Sequence, residues 1–294
     1  MKTILLTGAA GFLGSAIRRQ AGGADIFSID TRANAPDIVA LDLLDPKFEV
    51  KLPAQIEAVI HLAAFSSDSA CKNEPLTAWE LNLNATLKLY AACAARGCRK
   101  FLFASTEWIY GDQATSKPWR EDDPVLPAGL GVYALSKFTA EFALRQVAQP
   151  SCQLLVYRLA ILYGPRTGGL SAVESIAFQV ARNEPVDVNS GATARCYLHV
   201  DDAAAAMLKG ARSGLAGIYN VAGDALYSLR DVHDIAARFT GNAPGFHEKN
   251  AAAATVRNID GTKLKRDLGW EPRRFQQGVE ELLEQCPQPV VGMA

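Results

Sequence analysis

The sequence predicts an α/β fold, a doubly wound parallel sheet followed by a smaller C-terminal lobe. Over about the first two thirds of the chain, short apolar runs alternate with stretches of helical periodicity, the pattern of repeated β-α-β units. The apolar runs are bounded by turn residues, as expected for strands that helices cover on both faces of a sheet. After about Gly164, glycine and proline become frequent and the elements shorten, which indicates a lobe of different construction.

The predicted elements follow this alternation in order. Strands are predicted at Thr3–Thr7, Asp25–Ile29, Ile38–Leu41, Ala58–Leu62, Lys100–Ala104 and Leu154–Leu159, with helices at Gly11–Ala21, Pro75–Arg96 and Tyr133–Ala148. Later elements are a helix near Val173–Arg182, further sheet strands near Tyr197–Val200 and Ile218–Val221, and a helix at Gln277–Glu284. We therefore divide the chain at 1–165, with the sheet completed by segments near 197–222, and 166–294. The last residues, Pro287–Ala294, are expected to be frayed.

Composition excludes several classes of protein. The 294 residues are 49% apolar and 21% charged, with a net charge of −1, so no basic field is available for nucleic acid or an anionic membrane. The apolar run Ile4–Leu6 is too short for a signal peptide, and no run reaches the ~18 apolar residues of a membrane span. Six cysteines lack metal-ligand spacing and are expected to be free thiols, as in a cytoplasmic protein: Cys71, Cys93, Cys98, Cys152, Cys196 and Cys286.

The glycine-rich segment after the first strand indicates a dinucleotide site. The run T-G-A-A-G-F-L-G, residues 7–14, ends that strand and opens the first helix. Its glycines permit a tight turn, close approach of the backbone to a pyrophosphate and close helix–strand packing, while the helix N-terminus faces the phosphates. Because the motif has this strand–helix context, we predict a Rossmann-type domain. The cofactor-binding residues predicted here are Gly8, Gly11, Phe12, Leu13 and Gly14.

The end of the second strand indicates which dinucleotide is bound. Asp30 lies there, where a carboxylate can accept both ribose hydroxyls of NAD and would repel the 2′-phosphate of NADP. Arg32 could instead receive that phosphate. We predict NAD, with Asp30 as a cofactor-binding residue.

The third and fourth strands end in further candidates. Asp42 and Leu43 are predicted to lie beside the adenine, with a solvated turn as the alternative. His61 is predicted to be a structural histidine beneath the cofactor rather than a base. The small alanines after it let the backbone approach the cofactor, and the cofactor-binding candidates there are Leu62, Ala63 and Ala64. Ser66 is a substrate-binding candidate.

A tyrosine and a lysine four residues apart indicate the chemistry. Tyr133 and Lys137 fall on one face of a predicted helix. A phenol of ordinary pKa near 10 is a poor acid–base group at neutral pH, but a neighbouring ammonium and the positive nicotinamide would lower that pKa. Thr106 follows the fifth strand, where a hydroxyl can polarise a reacting carbonyl. Glu107 is a candidate proton shuttle, with a solvated carboxylate as the alternative; partial burial beside Trp108 should raise its pKa.

Taken together, these residues resemble the extended branch of the short-chain dehydrogenase/reductase superfamily, the NAD-dependent epimerase/dehydratase family. The matching features, in chain order, are T-G-A-A-G-F-L-G, Asp30, H-L-A-A, Asn82, S-T-E-W-I-Y-G, Y-A-L-S-K, Arg158 with Y-G-P, Arg195 before H-V-D-D, and L-G-W-E-P. The resemblance implies a catalytic triad of Thr106, Tyr133 and Lys137. It also implies that Asn82 supports the cofactor-side helix and that Arg195 binds the diphosphate of a nucleotide sugar.

Three departures from the family pattern leave the substrate and the reaction open. Ile161 stands where the family often has a substrate-binding asparagine, and residues 249–254 lack the usual second arginine. Glu107 and Trp108 replace the dehydratase acid pair. We predict an epimerase, dehydratase or dehydrogenase of a sugar or nucleotide sugar. The alternatives are a dehydrogenase or reductase of a smaller carbonyl or sugar acid, and a non-enzymatic NAD-binding protein.

The sequence also predicts a homodimer. The helical patterns Pro75–Arg96 and Tyr133–Ala148 look too apolar all round to cover only their own sheet. The resemblance implies that two subunits pair through these helices as a four-helix bundle. Packing against the chain's own sheet is the alternative.

Overall fold

The computed structural model describes residues 3–22, 25–112, 117–125, 129–166 and 168–285. Cys286 and the predicted frayed end, Pro287–Ala294, lie outside these ranges. The strands are β1 Ile4–Thr7, β2 Ile26–Asp30, β3 Ile38–Ala40, β4 Ala58–His61, β5 Lys100–Thr106, β6 Gln153–Leu159, β7 Leu162–Tyr163, β8 Val186–Val188, β9 Ala194–Arg195, β10 Leu198–His199, β11 Gly217–Val221, β12 Tyr227–Ser228, β13 Phe246–Glu248 and β14 Val256–Arg257. The helices are α1 Phe12–Gln20, α2 Asp68–Asn73, α3 Pro75–Trp79, α4 Thr86–Ala95, α5 Val132–Val147, α6 Ala172–Ala181, α7 Val200–Arg212, α8 Leu229–Thr240, α9 Thr262–Leu268 and α10 Phe275–Glu284.

Seven strands form one parallel sheet in the order β11-β6-β5-β4-β1-β2-β3. The chain builds outward from β1 to β3, returns to β4 on the other side of β1, and continues to β11. This reversal next to β1 is the topological switch point, where ligands of doubly wound sheets bind at the carboxyl ends of the strands. The predicted doubly wound fold is confirmed.

Alternating side chains on the central strands divide the core into two layers. Leu6 and Ile60 face the layer that holds α1 and α7, whereas Leu5 and Val59 face the layer that holds α4 and α5. All four side chains are buried, because each face of the sheet is covered by helices. This arrangement explains why the strands read as continuous apolar runs.

The C-terminal lobe has its own apolar core, in which α6, α8 and α10 pack together. Capping boxes begin two of these helices, with Ser171 and Glu174 at α6 and Ser228 and Asp231 at α8. The chain returns to the sheet between the lobe's segments, because α7 packs on α1 and β11 forms the edge strand. The division at residue 165 itself stays a prediction.

Two predicted elements differ in the structure. The strand near Tyr197–Val200 forms as β10 but pairs with β7 in a separate two-stranded sheet, because β11 occupies the edge of the main sheet beside β6. The predicted helix Pro75–Arg96 consists of α3 and α4 joined by π-helical turns over Glu80–Ala85. These wider turns contain Asn82, and such turns often occur at functional sites.

The five described cysteines are buried free thiols, as the spacing predicted. In the described part of the chain, no helix is both long and apolar enough to cross a membrane. Among the same residues, no group of histidines, cysteines and acids is arranged to hold a metal ion.

Candidate active site

A cleft of about 690 Å³ opens at the carboxyl ends of the sheet strands, beside the switch point. Most of the predicted cofactor and substrate positions line it. These are Gly8, Gly11, Phe12, Leu13, Gly14, Asp30, Asp42, Leu43, Leu62, Ala63, Ala64, Ser66, Tyr133 and Lys137. Five predicted site residues do not: Asn82, Thr106, Glu107, Ile161 and Arg195.

Two glycines explain the close packing at the floor of the cleft. Gly8 has a φ of +70°, and a Cβ there would lie 2.8 Å from the backbone nitrogen of Ala63. A Cβ on Gly14 would lie 2.2 Å from the Gly8 carbonyl oxygen. Only glycine fits at both positions, so the turn and the start of α1 can approach a ligand closely, as a pyrophosphate requires.

Asp30 lines the cleft with a buried carboxylate. Its Oδ2 accepts a hydrogen bond from the backbone N–H of Ala10 at 3.0 Å, and its Oδ1 accepts one from the N–H of Arg32 at 2.9 Å. The Arg32 side chain is exposed, and its Nε lies 3.5 Å from Oδ1. The carboxylate is therefore held by the backbone, with Arg32 only loosely beside it, which fits an acceptor for ribose hydroxyls.

His61 is fully buried beneath the cleft. Its Nδ1 lies 2.7 Å from the hydroxyl of Thr7, and its Nε2 lies 2.9 Å from that of Thr86. Burial lowers the pKa of His61 to about 3, with a smaller contribution from the charge of Lys137. The ring is thus a neutral bridge between a hydroxyl at the end of β1 and one at the start of α4, as the structural interpretation predicted.

Asn82 is placed to position other groups, not to touch the cofactor. Its side-chain oxygen accepts from the N–H of Phe65 at 2.7 Å, and its amide donates to the Phe65 carbonyl at 3.0 Å and to the Ser136 hydroxyl at 2.9 Å. It thereby ties the loop after β4 to α5. The side chain is buried and does not line the cleft, so a part for Asn82 in cofactor binding stays a prediction.

Tyr133 and Lys137 lie one turn apart on α5, at the cleft, and Thr106 at the end of β5 is close enough to Tyr133 to lower its pKa. Burial raises the pKa of Tyr133 to about 12, and Thr106 opposes this only in part. Burial lowers the pKa of Lys137 to about 7, against the attraction of Glu141. The Lys137 ammonium also lies 4.1 Å from the centre of the Phe103 ring.

The predicted lowering of the Tyr133 pKa by Lys137 is therefore not found among the protein's own groups. Burial is the largest cause of the raised pKa of Tyr133, and Lys137, whose own charge burial disfavours, is not among the groups that lower it. A bound nicotinamide, which is positively charged in its oxidised form, is the remaining source of a lower phenol pKa.

Glu107 differs from its predicted place at the cleft mouth. It begins a short 3-10 turn after β5 and is fully buried, facing Arg195 at 3.8 Å and Arg257 at 3.5 Å. Burial raises its pKa to about 7, with both arginines opposing the shift. The predicted direction of the pKa shift agrees, but the carboxylate points to the arginines and not into the cleft. Its role as a proton shuttle stays a prediction.

Arg195 and Ile161 also have surroundings that the sequence did not indicate. The Arg195 guanidinium donates to the carbonyls of Ala194 and Thr255 and to the Thr255 hydroxyl. Ile161 packs against the core of the C-terminal lobe, which accounts for an apolar residue there.

Arg257 is the residue that sequence analysis missed. It pairs in register with Arg195 on neighbouring strands and is 4% exposed. Its position three residues before Asp260, just downstream of the stretch 249–254 where a second arginine was sought, was the available signal. The expected absence of a second arginine at residues 249–254 is real, but Arg257 brings one to the site from the next strand.

A Rossmann-type sheet, a glycine-lined cleft of dinucleotide size and a tyrosine–lysine helix beside it define a class, the dinucleotide-dependent oxidoreductases of α/β fold. The chain belongs to the NAD dependent epimerase/dehydratase family, whose match covers residues 4–222. It is therefore an enzyme, and NAD is its cofactor. The Gly8 turn, the Gly14 packing and the Asp30 carboxylate all fit that cofactor.

Individual proteins resemble the chain over nearly its whole length. UDP-glucose 4-epimerase of Mycolicibacterium smegmatis is 28% identical over an alignment of 312 positions, which spans 95% of this chain and 97% of the relative. A crystal structure of UDP-glucose 4-epimerase from Thermotoga maritima with UDP-glucose has a TM-score of 0.85 at 25% identity, covering 96% and 97% of the two chains. The enzyme from Thermus thermophilus in complex with NAD has a TM-score of 0.82 at 28% identity, covering 96% and 98%.

Proposed function

We propose that the chain is an epimerase/dehydratase-type enzyme of nucleotide sugars. Its reaction begins with the oxidation of a hydroxyl on the sugar ring, and Tyr133 is the acid–base group for that step. The observation that carries this proposal is the meeting of Tyr133, Lys137 and Thr106 at the carboxyl ends of the strands, beside the glycine-lined cleft. Bound NAD supplies a nicotinamide that accepts a hydride. The similarity to UDP-glucose 4-epimerases supports a nucleoside-diphosphate sugar as the substrate.

Each residue of the site has a distinct role at the reacting hydroxyl of the substrate. As the phenolate, Tyr133 receives the hydroxyl proton while the carbon loses its hydride, and the resulting phenol can return that proton when the carbonyl is reduced. Thr106, which lies close enough to Tyr133 to lower its pKa, can orient the phenol and donate to the substrate oxygen. Lys137, one turn along α5, favours the phenolate when its ammonium is charged. Asn82 holds α5 to the loop after β4, so the pair keeps its position.

A net dehydrogenase or reductase of a smaller carbonyl or sugar acid is the second candidate. It is favoured by Ile161, whose apolar side chain packs into the lobe core where a polar substrate contact was expected. In that case the cofactor would leave after each turnover, instead of returning its hydride to the same substrate.

One preparation of the purified protein tests both candidate functions. We expect the purified protein to retain NAD through dialysis and to interconvert UDP-glucose and UDP-galactose with no NADH released to solution. Release of one NADH for each substrate oxidised would contradict the epimerase proposal and favour the dehydrogenase. Absence of any reaction with UDP- and dTDP-sugars, together with reduction of simple carbonyls, would place the substrate outside nucleotide sugars.

We expect NAD to bind more tightly than NADP because the Asp30 carboxylate would lie beside the 2′-phosphate. Fluorescence titration of NADH and NADPH into the NAD-free protein measures the ratio of the two affinities. Asp30→Asn should lower the preference for NADH by about tenfold or more, since a repelling charge is removed. Asp37→Asn is the control, because Asp37 is exposed and paired with Arg18 away from the cleft. Tighter NADPH binding by the unaltered protein would show that Arg32 governs the pocket.

We expect a homodimer through α3–α4 and α5, although much of their apolar surface is used within the chain. Leu89 and Ala140 are buried in the sheet's helical layer, but Leu76 is 80% and Phe142 53% exposed. Light scattering should give twice the 31.6 kDa chain mass, and Phe142→Glu should give a monomer. Phe239→Glu, 43% exposed on α8, is the matched control and should remain dimeric. A monomeric mass for the unaltered protein at micromolar concentration would contradict this prediction.

A further inference from the structure

Two arginines and two carboxylates form a compact cluster just beyond Thr106. Arg195 and Arg257 stand opposite each other on β9 and β14, and both approach the Glu107 carboxylate. Asp112 lies on the outer side, 3.6 Å from Arg195 and 3.0 Å from Arg257, with a half-exposed side chain. The inner three charged side chains are almost completely buried. Such a cluster is costly to bury, so its arrangement requires an explanation.

Glu107 is poorly satisfied for a buried carboxylate. Neither of its oxygens accepts a hydrogen bond of ordinary geometry from any residue that the structure describes. Buried carboxylates normally accept such bonds, and a charge-assisted pair with arginine is usually shorter and bidentate. Glu107 therefore balances the charge of the arginines without binding either of them in the preferred geometry.

The two arginines differ in how many of their hydrogen-bond donors have a partner. Arg195 donates to two carbonyls and one hydroxyl. Within the described residues, the Arg257 Nε and Nη1 have no hydrogen-bond partner, although both atoms are buried. The Arg257 guanidinium lies 4.1 Å from the Trp108 ring centre, which fixes its plane. Arg257 thus presents a rigid fork with unused donors, the geometry that carboxylates and phosphates accept.

We propose that Glu107 is a resident counter-ion that a negatively charged oxyanion of the substrate replaces at Arg257, with Glu107 taking up one proton from solvent as it does so. The inference rests on the proposed function, since it requires an anionic substrate. Only a proton moves at Glu107, and no bond of the substrate is made or broken. The oxyanion is a diphosphate oxygen or a carboxylate on the sugar, either of which fits the arginine fork.

The side chains that face Glu107 include both charged and neutral groups. Facing it are Arg195, Arg257 and Asp112, together with the neighbouring side chains of Cys196 and Tyr197. Burial raises the pKa of Cys196 to about 12 and also raises the pKa of Tyr197 above its ordinary value. Both side chains are therefore neutral near pH 7. Burial also brings the pKa of Glu107 to about 7. A new anion at Arg257 would raise it again, since like charges disfavour each other's ionised forms.

Calorimetry of UDP binding tests the proton uptake. The NAD-containing protein is titrated with UDP in buffers of different ionisation enthalpy, from about pH 7.5 to about pH 9, where the terminal phosphate is already ionised. We expect close to one proton to be taken up per UDP bound, and the Kd to rise by up to about tenfold per pH unit. Glu107→Gln should bind UDP with no proton uptake and should bind it more tightly than the unaltered protein at the alkaline end. The same titration with UDP-glucuronic acid covers a sugar carboxylate as the anion. Equal proton uptake by both proteins with each of the two ligands, or no binding of either ligand by either protein, would overturn the proposal.

Arg257→Lys separates the sources of the anion and guards against a Glu107 variant that fails to fold. It keeps the charge and loses the fork, so it should weaken binding by roughly tenfold. Weaker binding of UDP itself identifies the diphosphate. Unchanged UDP binding with selective loss of UDP-glucuronic acid relative to UDP-glucose identifies a sugar carboxylate. No change with any of the three ligands overturns the proposal, whereas the proposed function fails separately, by absence of turnover in the unaltered enzyme.

Discussion

Tyr133→Phe should lower turnover by about 10²- to 10⁴-fold while leaving NAD bound, since a positioned acid–base group contributes that much to a proton transfer. The phenyl ring keeps the packing of Tyr133 at the cleft, but the hydroxyl near Thr106 is lost. Steady-state kinetics with the best nucleotide sugar gives the turnover, and NADH fluorescence titration gives cofactor affinity. A fall of less than about tenfold would remove Tyr133 from the chemistry.

Tyr157→Phe is the matched control for this substitution. Tyr157 is also buried, and its hydroxyl has no hydrogen-bond partner among the residues that the structure describes. It packs against the α7 glycine Gly210 and does not line the cleft. Removing this hydroxyl should leave both turnover and NAD affinity within about twofold, since a buried hydroxyl without a partner contributes nothing favourable. Equal losses in both variants would indicate that the loss of activity is structural.

The sheet and the cofactor cleft could be predicted because their determinants are local in the sequence. A strand covered on both faces needs a continuous apolar run, and a dinucleotide turn needs glycines at fixed spacing, so each leaves a short recognisable pattern. Gly8 and Gly14 have the tight contacts that this pattern implies. The cleft also contains Asp30 and Asp42, whose positions follow directly from the ends of predicted strands.

The surroundings of Glu107 could not be predicted in this way, because they depend on pairing between distant short strands. Arg195 and Arg257 are separated by more than sixty residues, and only the two-residue strands β9 and β14 bring them into register. Strands of that length have no periodicity to read. The same reason explains β10, which looked like a strand of the main sheet and pairs instead with β7. The pKa of Tyr133 was likewise set by burial, which spacing on a helix does not reveal.

A buried ion pair behind the catalytic helix should have the largest effect on stability. Arg158 on β6 and Glu141 on α5 are 3% and 1% exposed, with 2.5 Å between Arg158 Nη2 and Glu141 Oε1. The pair is further hydrogen-bonded, because Ser105 donates to Glu141 at 3.1 Å and Arg158 donates to the Tyr110 hydroxyl at 2.6 Å. Glu141 lies one turn after Lys137, so this network fixes the end of α5 that follows the site.

Arg158→Met should destabilise the protein by roughly 3–5 kcal/mol, because it leaves the Glu141 carboxylate buried without its counter-charge. Adding Glu141→Leu to that variant should recover most of the loss, since replacing both partners by apolar groups of similar size is often close to neutral. Urea unfolding of the NAD-free proteins measures both. Arg266→Met is the control, because Arg266 is 73% exposed in its pair with Asp267 and such pairs contribute about 0.2–1 kcal/mol. A double variant no more stable than Arg158→Met would show that hydrogen bonds to Ser105 and Tyr110, and not the charge pair, hold α5 against the sheet.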